Sequence, residues 1–136
     1  MKLSHATRVT LMGSAASALL ALSACGGGSK PAASEVETCP SNSTELDGAT
    51  EVLHCSCSSI GIGSGVVFGS GPYLSGSSIC RSAVHAGAIS EDDDNVVVSV
   101  TPVDPAGVEF PASEANGVSS SEYISSSPAS GAFNVE

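Results

Sequence analysis

The side chains best equipped for chemistry in this chain are its five cysteines, its three histidines and one short acidic run. Cys39, Cys55, Cys57 and Cys80 share one stretch, while Cys25 stands apart at the end of an apolar segment. Thiols at such positions can be oxidised to disulfides or can ligate a metal. Cys55 and Cys57 are too close in sequence for a good bond to each other. Of the three pairings open to four thiols, two remain: Cys39–Cys55 with Cys57–Cys80, or the crossed alternative. A zinc site would recruit Cys55 and Cys57 with His54 and His85, but Cys55-Ser56-Cys57 lacks the two-residue knuckle of structural zinc sites. The C-x-x-C spacing of a redox-active pair is absent too. No metal and no cofactor are therefore expected.

His85 could act as a base, yet no serine here sits in a nucleophile motif, and a hydrolase needs nucleophile, base and orienting group together. A structural histidine near a helix end, facing the negative end of the dipole, is the expectation. Glu91-Asp92-Asp93-Asp94 could attract calcium, but the run lacks the alternating ligands and closing Glu of an EF-hand loop; it reads as a solvated turn. Gly61-Ile62-Gly63-Ser64-Gly65 lacks the Lys and Ser/Thr of a phosphate-binding loop and reads as flexible turns.

These groups must be delivered and positioned. Lys2 and Arg8 precede an apolar stretch, Val9 to Leu22, which is broken by Gly13, Ser14 and Ser17. The order of charge, apolar run and small residues predicts a secretory signal peptide over 1–24. It is too short and interrupted for a transmembrane helix of about 20 apolar residues. Leu22-Ser23-Ala24-Cys25 resembles the lipobox of bacterial lipoproteins. That resemblance implies a diacylglyceryl thioether on Cys25, cleavage before it, and a membrane hold from acyl chains at about 0.8 kcal/mol per buried CH₂. Gly26 stands where an inner-membrane retention signal would place Asp, which favours the outer membrane. Residues 25–38, rich in Gly, Ser and Pro, read as a flexible tether. Removing Cys25 from the count leaves an even number of thiols in an exported chain, the composition of a two-disulfide module.

Beyond position 25, only Lys30 and Arg81 face all 14 acidic residues, a formal charge of −12. So negative a surface repels nucleic-acid phosphates and anionic lipid headgroups. Nucleic acid is excluded as a partner.

The elements that must hold the cysteines are short. Val66-Val67-Phe68, bounded by glycines, predicts a buried strand. Ser77 or Ser78 can cap a helix that Gly87 ends, with Ile79, Ala83 and Ala86 on one face. Four valines from Asn95 to Thr101 predict a strand that Pro102 and Pro105 stop. Asn116-Gly117 predicts a tight turn, and Ala132 to Val135 a closing edge strand. Composition alone gives the Ser-rich stretch 119–130 the look of a linker.

Tyr73, then Ser77-Ser78-Ile79-Cys80, then Ala83-Val84-His85-Ala86-Gly87 resemble the hallmark of the LCCL domain, a family named after factor C, cochlin and a late-gestation lung protein. The resemblance runs from Val67-Phe68-Gly69 upstream to Phe133-Asn134-Val135 downstream, and covers about residues 39–136. It implies an α+β fold in which one central helix is wrapped by short antiparallel strands. It also implies the pairing Cys39–Cys55 with Cys57–Cys80, and structural roles for Tyr73, Ser77, Ser78, Ile79, Cys80, His85 and Gly87. The chain departs from the family at Cys55-Ser56-Cys57, where members usually place more residues, and at Ser82, where Ala is frequent. The family's modules are noncatalytic parts of extracellular proteins, linked to adhesion and host defence. The expected function is accordingly an envelope lipoprotein with a binding or adhesion module for glycan, lipid or protein. The alternative is a structural lipoprotein that pairs with a larger envelope protein.

Overall fold

The computed structural model describes residues 35–136. The expected signal peptide, Cys25 and the tether up to residue 34 lie outside the described residues. After a 3-10 turn at Thr44–Leu46 come β1 (Leu53–Cys57), α1 (Ser59–Ile62), β2 (Tyr73–Leu74), α2 (Ile79–Ala86), β3 (Val96–Val103), β4 (Glu114–Ala115), β5 (Val118–Ser119) and β6 (Ala132–Val135). Strands β1, β3, β6 and β2 form one antiparallel sheet in that order, and β4 and β5 form a separate hairpin. Helix α2 packs against β3 and β6 on one side and the hairpin on the other.

Alternation along the strands decides which side of the sheet meets the helix, because successive side chains point to opposite faces. Cys55 and Cys57 of β1, Val98 and Val100 of β3, and Phe133 and Val135 of β6 are buried in one cluster with Ile62, Ile79, Ala83 and Val84. His54, Val97 and Asn134 point outward and are exposed. Full burial of each such Val, Ile or Phe contributes about 1.5–3 kcal/mol. With no Trp in the chain, covalent bracing matters. The bonds Cys39–Cys55 and Cys57–Cys80 tie the start of the described chain and helix α2 to the two ends of the Cys55-Ser56-Cys57 segment of β1.

The structure corrects four details. Val66–Phe68 is not a ladder strand: Gly65 and Gly69 adopt positive φ on either side, and Phe68 makes only an isolated bridge to Ser121. Val67 is buried as expected, whereas Val66 faces solvent. Pro102 does not stop β3. Ser99 and Glu136 exchange both backbone bonds, at 2.9 and 3.0 Å, so alternate residues 99, 101 and 103 turn their polar groups toward β6. The missing N–H of Pro102 therefore faces the side where β1 has already ended, opposite Val100, and no ladder bond is lost. Strand β6 is interior, not an edge, since β3 and β2 flank it. Ala86 is exposed, because the buried face of α2 turns through Ser82, Ala83, Val84 and His85.

Pairing begins before Cys39: Ser56 N–H donates to the Glu37 carbonyl and Cys39 N–H to the Ser56 carbonyl, at 2.8 and 2.9 Å. The Ser-rich stretch is also engaged, with Ser121 bridged to Phe68 and Tyr123 to Phe110. These contacts enclose a second small apolar cluster of Leu74, Phe110 and Ala132. Asn116 and Gly117, both at positive φ, form the two-residue turn of the β4–β5 hairpin. Among the described residues no helix is long and apolar enough to cross a membrane.

Candidate functional site

Helix α2 carries Cys80 and His85, and its two ends are fixed by residues of the same motif. Ser78 is the N-cap, its Oγ accepting from Arg81 N–H. Ser77 does not cap; its buried hydroxyl accepts from Phe68 N–H at 2.9 Å and donates to the Phe68 carbonyl at 3.3 Å. At the other end Gly87 takes φ 76°, and the Gly87 and Ala88 N–H groups return to the Val84 and Ala83 carbonyls. That is the Schellman arrangement, which needs a left-handed residue that glycine supplies without strain.

His85 lies one residue before the helix end and is 4% exposed. Its ring bonds two side chains of the fold and no helix carbonyl. Nδ1 is 2.9 Å from Tyr73 Oη, and Nε2 is 3.0 Å from Ser113 Oγ. The Tyr73 ring stands edge-on to the imidazole, with centroids 5.6 Å apart, and is itself held against Phe133. The His85 carbonyl accepts from Asn116 Nδ2 at 3.0 Å, which docks the hairpin turn on the helix end. Ser113, some thirty residues away in sequence, carries no motif; only the fold brings it to His85.

A serine, a histidine and a third polar group in line invite a catalytic reading, and hydrogen-bond accounting settles its direction. Tyr73 is 2% exposed, and donation to His85 Nδ1, its hydroxyl's one partner among the described residues, satisfies its proton. Nε2 then carries the imidazole proton and donates to Ser113 Oγ. Ser113 can pass its own proton to Ser120 Oγ, 3.3 Å away, and Ser120 donates to the Ser113 carbonyl. Each polar hydrogen of the chain has one acceptor, and Ser120 Oγ accepts from the Ser113 N–H as well, at 2.9 Å. In this tautomer Nε2 donates to Ser113, and the four side chains orient the hairpin on the helix end. Burial raises the Tyr73 phenol above its ordinary value, which keeps it in the neutral, donating form.

The other candidate groups are committed elsewhere. His54 Nδ1 lies 3.0 Å from Ser99 Oγ on the outer sheet face. The sulfurs of Cys39, Cys57 and Cys80 converge within 4.8 Å without either histidine. In the acidic run, Asp94 accepts from Ser59 N–H and Asp93 from Ser90 N–H, both at 2.7 Å. Glu91 pairs with Arg81 at 3.1 Å, and the same guanidinium donates to the Ile62 carbonyl. The loop is thus built by its own carboxylates.

Of the clefts that open among the described residues, two flank this frame away from the acidic run. One of about 480 Å³ has Tyr73, His85 and Ser113 in its wall with Asn116 and Asn134. The other, about 410 Å³, lies between Asp47 and Asp104 and is walled by Pro102 and Pro105. Neither is lined by Lys or Arg.

A short helix stapled to β1 by one disulfide, with a second bracing the Cys39 segment on the same strand, defines a disulfide-braced α+β module whose reactive groups are spent on internal bonds. Residues 30–130 match the family model of the LCCL domain. The chain belongs to the LCCL domain family, whose members are noncatalytic binding modules. No curated protein matches the chain.

Proposed function

We propose that this chain is a cell-envelope lipoprotein, held at the membrane through acylated Cys25, whose LCCL domain binds or adheres to an external ligand. The observation that carries the reading is the commitment of His85 at both ring nitrogens to buried or half-buried partners of the fold. The motif therefore builds a frame, and recognition falls to what the frame displays. Charge narrows the ligand class. With formal charge −12 beyond position 25, the module favours neutral or cationic glycans, lipids and proteins. Like charges oppose a bare phosphate headgroup unless a cation bridges them.

The test uses the full chain expressed in a bacterial host, extracted from envelopes in mild detergent and applied to glycan, lipid and extracellular-protein arrays. Saturable binding to one class supports the reading. Empty arrays, together with one stoichiometric envelope partner in a pull-down, would replace it with the structural-lipoprotein alternative. Cys25→Ser separates the anchor from the module: it should move the chain from the membrane to the soluble fraction and leave array binding intact.

A further inference from the structure

The two disulfides are neighbours. Cys39 Sγ lies 3.6 Å from Cys57 Sγ, to which it is not bonded, and the sulfur of Cys80 falls in the same cluster. The four cysteines differ sharply in access. Cys39 is half-buried beside the tether, whereas Cys55, Cys57 and Cys80 are 1%, 0% and 5% exposed. A soluble reductant can approach the first bond at Cys39 but is walled off from the second. Thiol–disulfide exchange requires a thiolate to reach a disulfide sulfur, and Cys39 is placed to do so from inside.

We propose that Cys39 is an exchange site for external reductants, the relay sulfur through which the buried Cys57–Cys80 bond is opened. Two electrons from the reductant first cleave Cys39–Cys55, leaving two thiols. Deprotonated Cys39 then attacks Cys57 Sγ; a Cys39–Cys57 bond forms, Cys57–Cys80 breaks, and the electron pair leaves on Cys80 as thiolate, which takes a proton from water. No net oxidation or reduction occurs in this second step. Freed from Cys55, the Cys39 side chain can turn to approach along the bond it attacks. The product unstaples helix α2 from β1, while the Cys39 segment stays tied to β1, now through Cys57. A second reduction, at the half-buried Cys39, completes the opening. Natural reductants of this class are exposed dithiols of oxidoreductases.

The experiment is limited reduction of the native, detergent-extracted chain at pH 8 with a water-soluble phosphine, which removes disulfides without forming mixed ones. Samples are alkylated with iodoacetamide at intervals and mapped by mass spectrometry. The expected intermediate contains Cys39 joined to Cys57, with Cys55 and Cys80 alkylated. An intermediate with Cys57–Cys80 intact and Cys39 and Cys55 alkylated, accumulating to the end without the isomer, overturns the proposal. A second arm uses Cys55→Ala, which leaves Cys39 permanently free. The oxidised variant should show both Cys57–Cys80 and Cys39–Cys57 forms. In Cys39→Ser/Cys55→Ala the buried bond should be reduced at least about tenfold more slowly than in the wild-type chain; an equal rate refutes the relay. Should either variant fail to fold, the wild-type trapping decides alone.

Discussion

Ser77 and Ser82 are both 0% exposed, yet replacing each with Ala should move stability in opposite directions. The Ser77 hydroxyl serves two backbone groups of Phe68, one accepted and one donated bond. Its removal leaves the Phe68 N–H without its partner, while the Phe68 carbonyl keeps the Leu74 N–H at 3.1 Å, a penalty of about 1–3 kcal/mol. Among the described residues Ser82 Oγ is the one buried side-chain polar atom without a partner. Its burial costs about 1–3 kcal/mol that no bond returns. It also sits in the middle of α2, where Ala is favoured over Ser by up to about 0.7 kcal/mol. The void left by one oxygen returns part of that gain, so Ser82→Ala should stabilise by about 1–2 kcal/mol. Two-state unfolding in urea, with disulfides intact, reads both variants; the midpoint should rise for Ser82→Ala and fall for Ser77→Ala at an unchanged m-value. A Ser82→Ala midpoint at or below wild type would show that the hydroxyl is satisfied by a helix carbonyl or an internal water, and the accounting would fail.

Three further outcomes follow from the same frame. Tyr73 has its folded-state pKa raised by burial, so its stabilising contribution is whole below pH 10 and drains away as pH rises through the folded value; Tyr73→Phe should flatten that alkaline loss in thermal melts while lowering stability at pH 7 by about 1–2 kcal/mol, because buried His85 Nδ1 loses its donor. Gly87→Ala should cost about 1–2 kcal/mol in urea unfolding. It puts a side chain at φ 76°, with its Cβ 3.1 Å from Asn116 Nδ2, the group that docks the hairpin. Replacing Cys57 and Cys80 together by Ala opens a crosslink of sequence separation 23 and should lower stability by about 3 kcal/mol; a loss under about 1 kcal/mol would assign the bracing to Cys39–Cys55.

What could be read from the sequence was local, and what could not was relational. The limits of α2 were legible because capping chemistry is written within four residues: Ser78 at one end, Gly87 at the other. The hairpin was legible because Asn116-Gly117 tolerates positive φ at both positions. Pro102 misled because its tolerance depends on which neighbour strand is still present at that point, a fact held by the length of β1. The Val66–Phe68 run misled because apolar character marks burial, while the flanking glycines decide pairing. Ser113 was invisible: nothing near it in sequence marks it as the partner of His85. The disulfide pairing lay between these cases. Spacing narrowed it to two schemes, and the resemblance to a family chose between them.

The division of labour within the fold bears on where recognition resides. Tyr73, Ser77, Ser78, Cys80, His85 and Gly87 all spend their polar or conformational capacity on fixing α2 between the sheet and the hairpin. A residue so committed cannot also turn toward a ligand without releasing a bond that the fold needs. Under the proposed binding role, specificity falls to uncommitted positions outside the motif, such as exposed Asn134 on the cleft wall. The two kinds of residue should separate experimentally. His85→Ala should lower stability and ligand binding together, with binding recovering under conditions that restore the folded population. Asn134→Ala should reduce binding at constant midpoint of unfolding. If His85→Ala instead abolished binding in fully folded protein, the motif would be part of the recognition surface, and the frame-and-display division would be wrong.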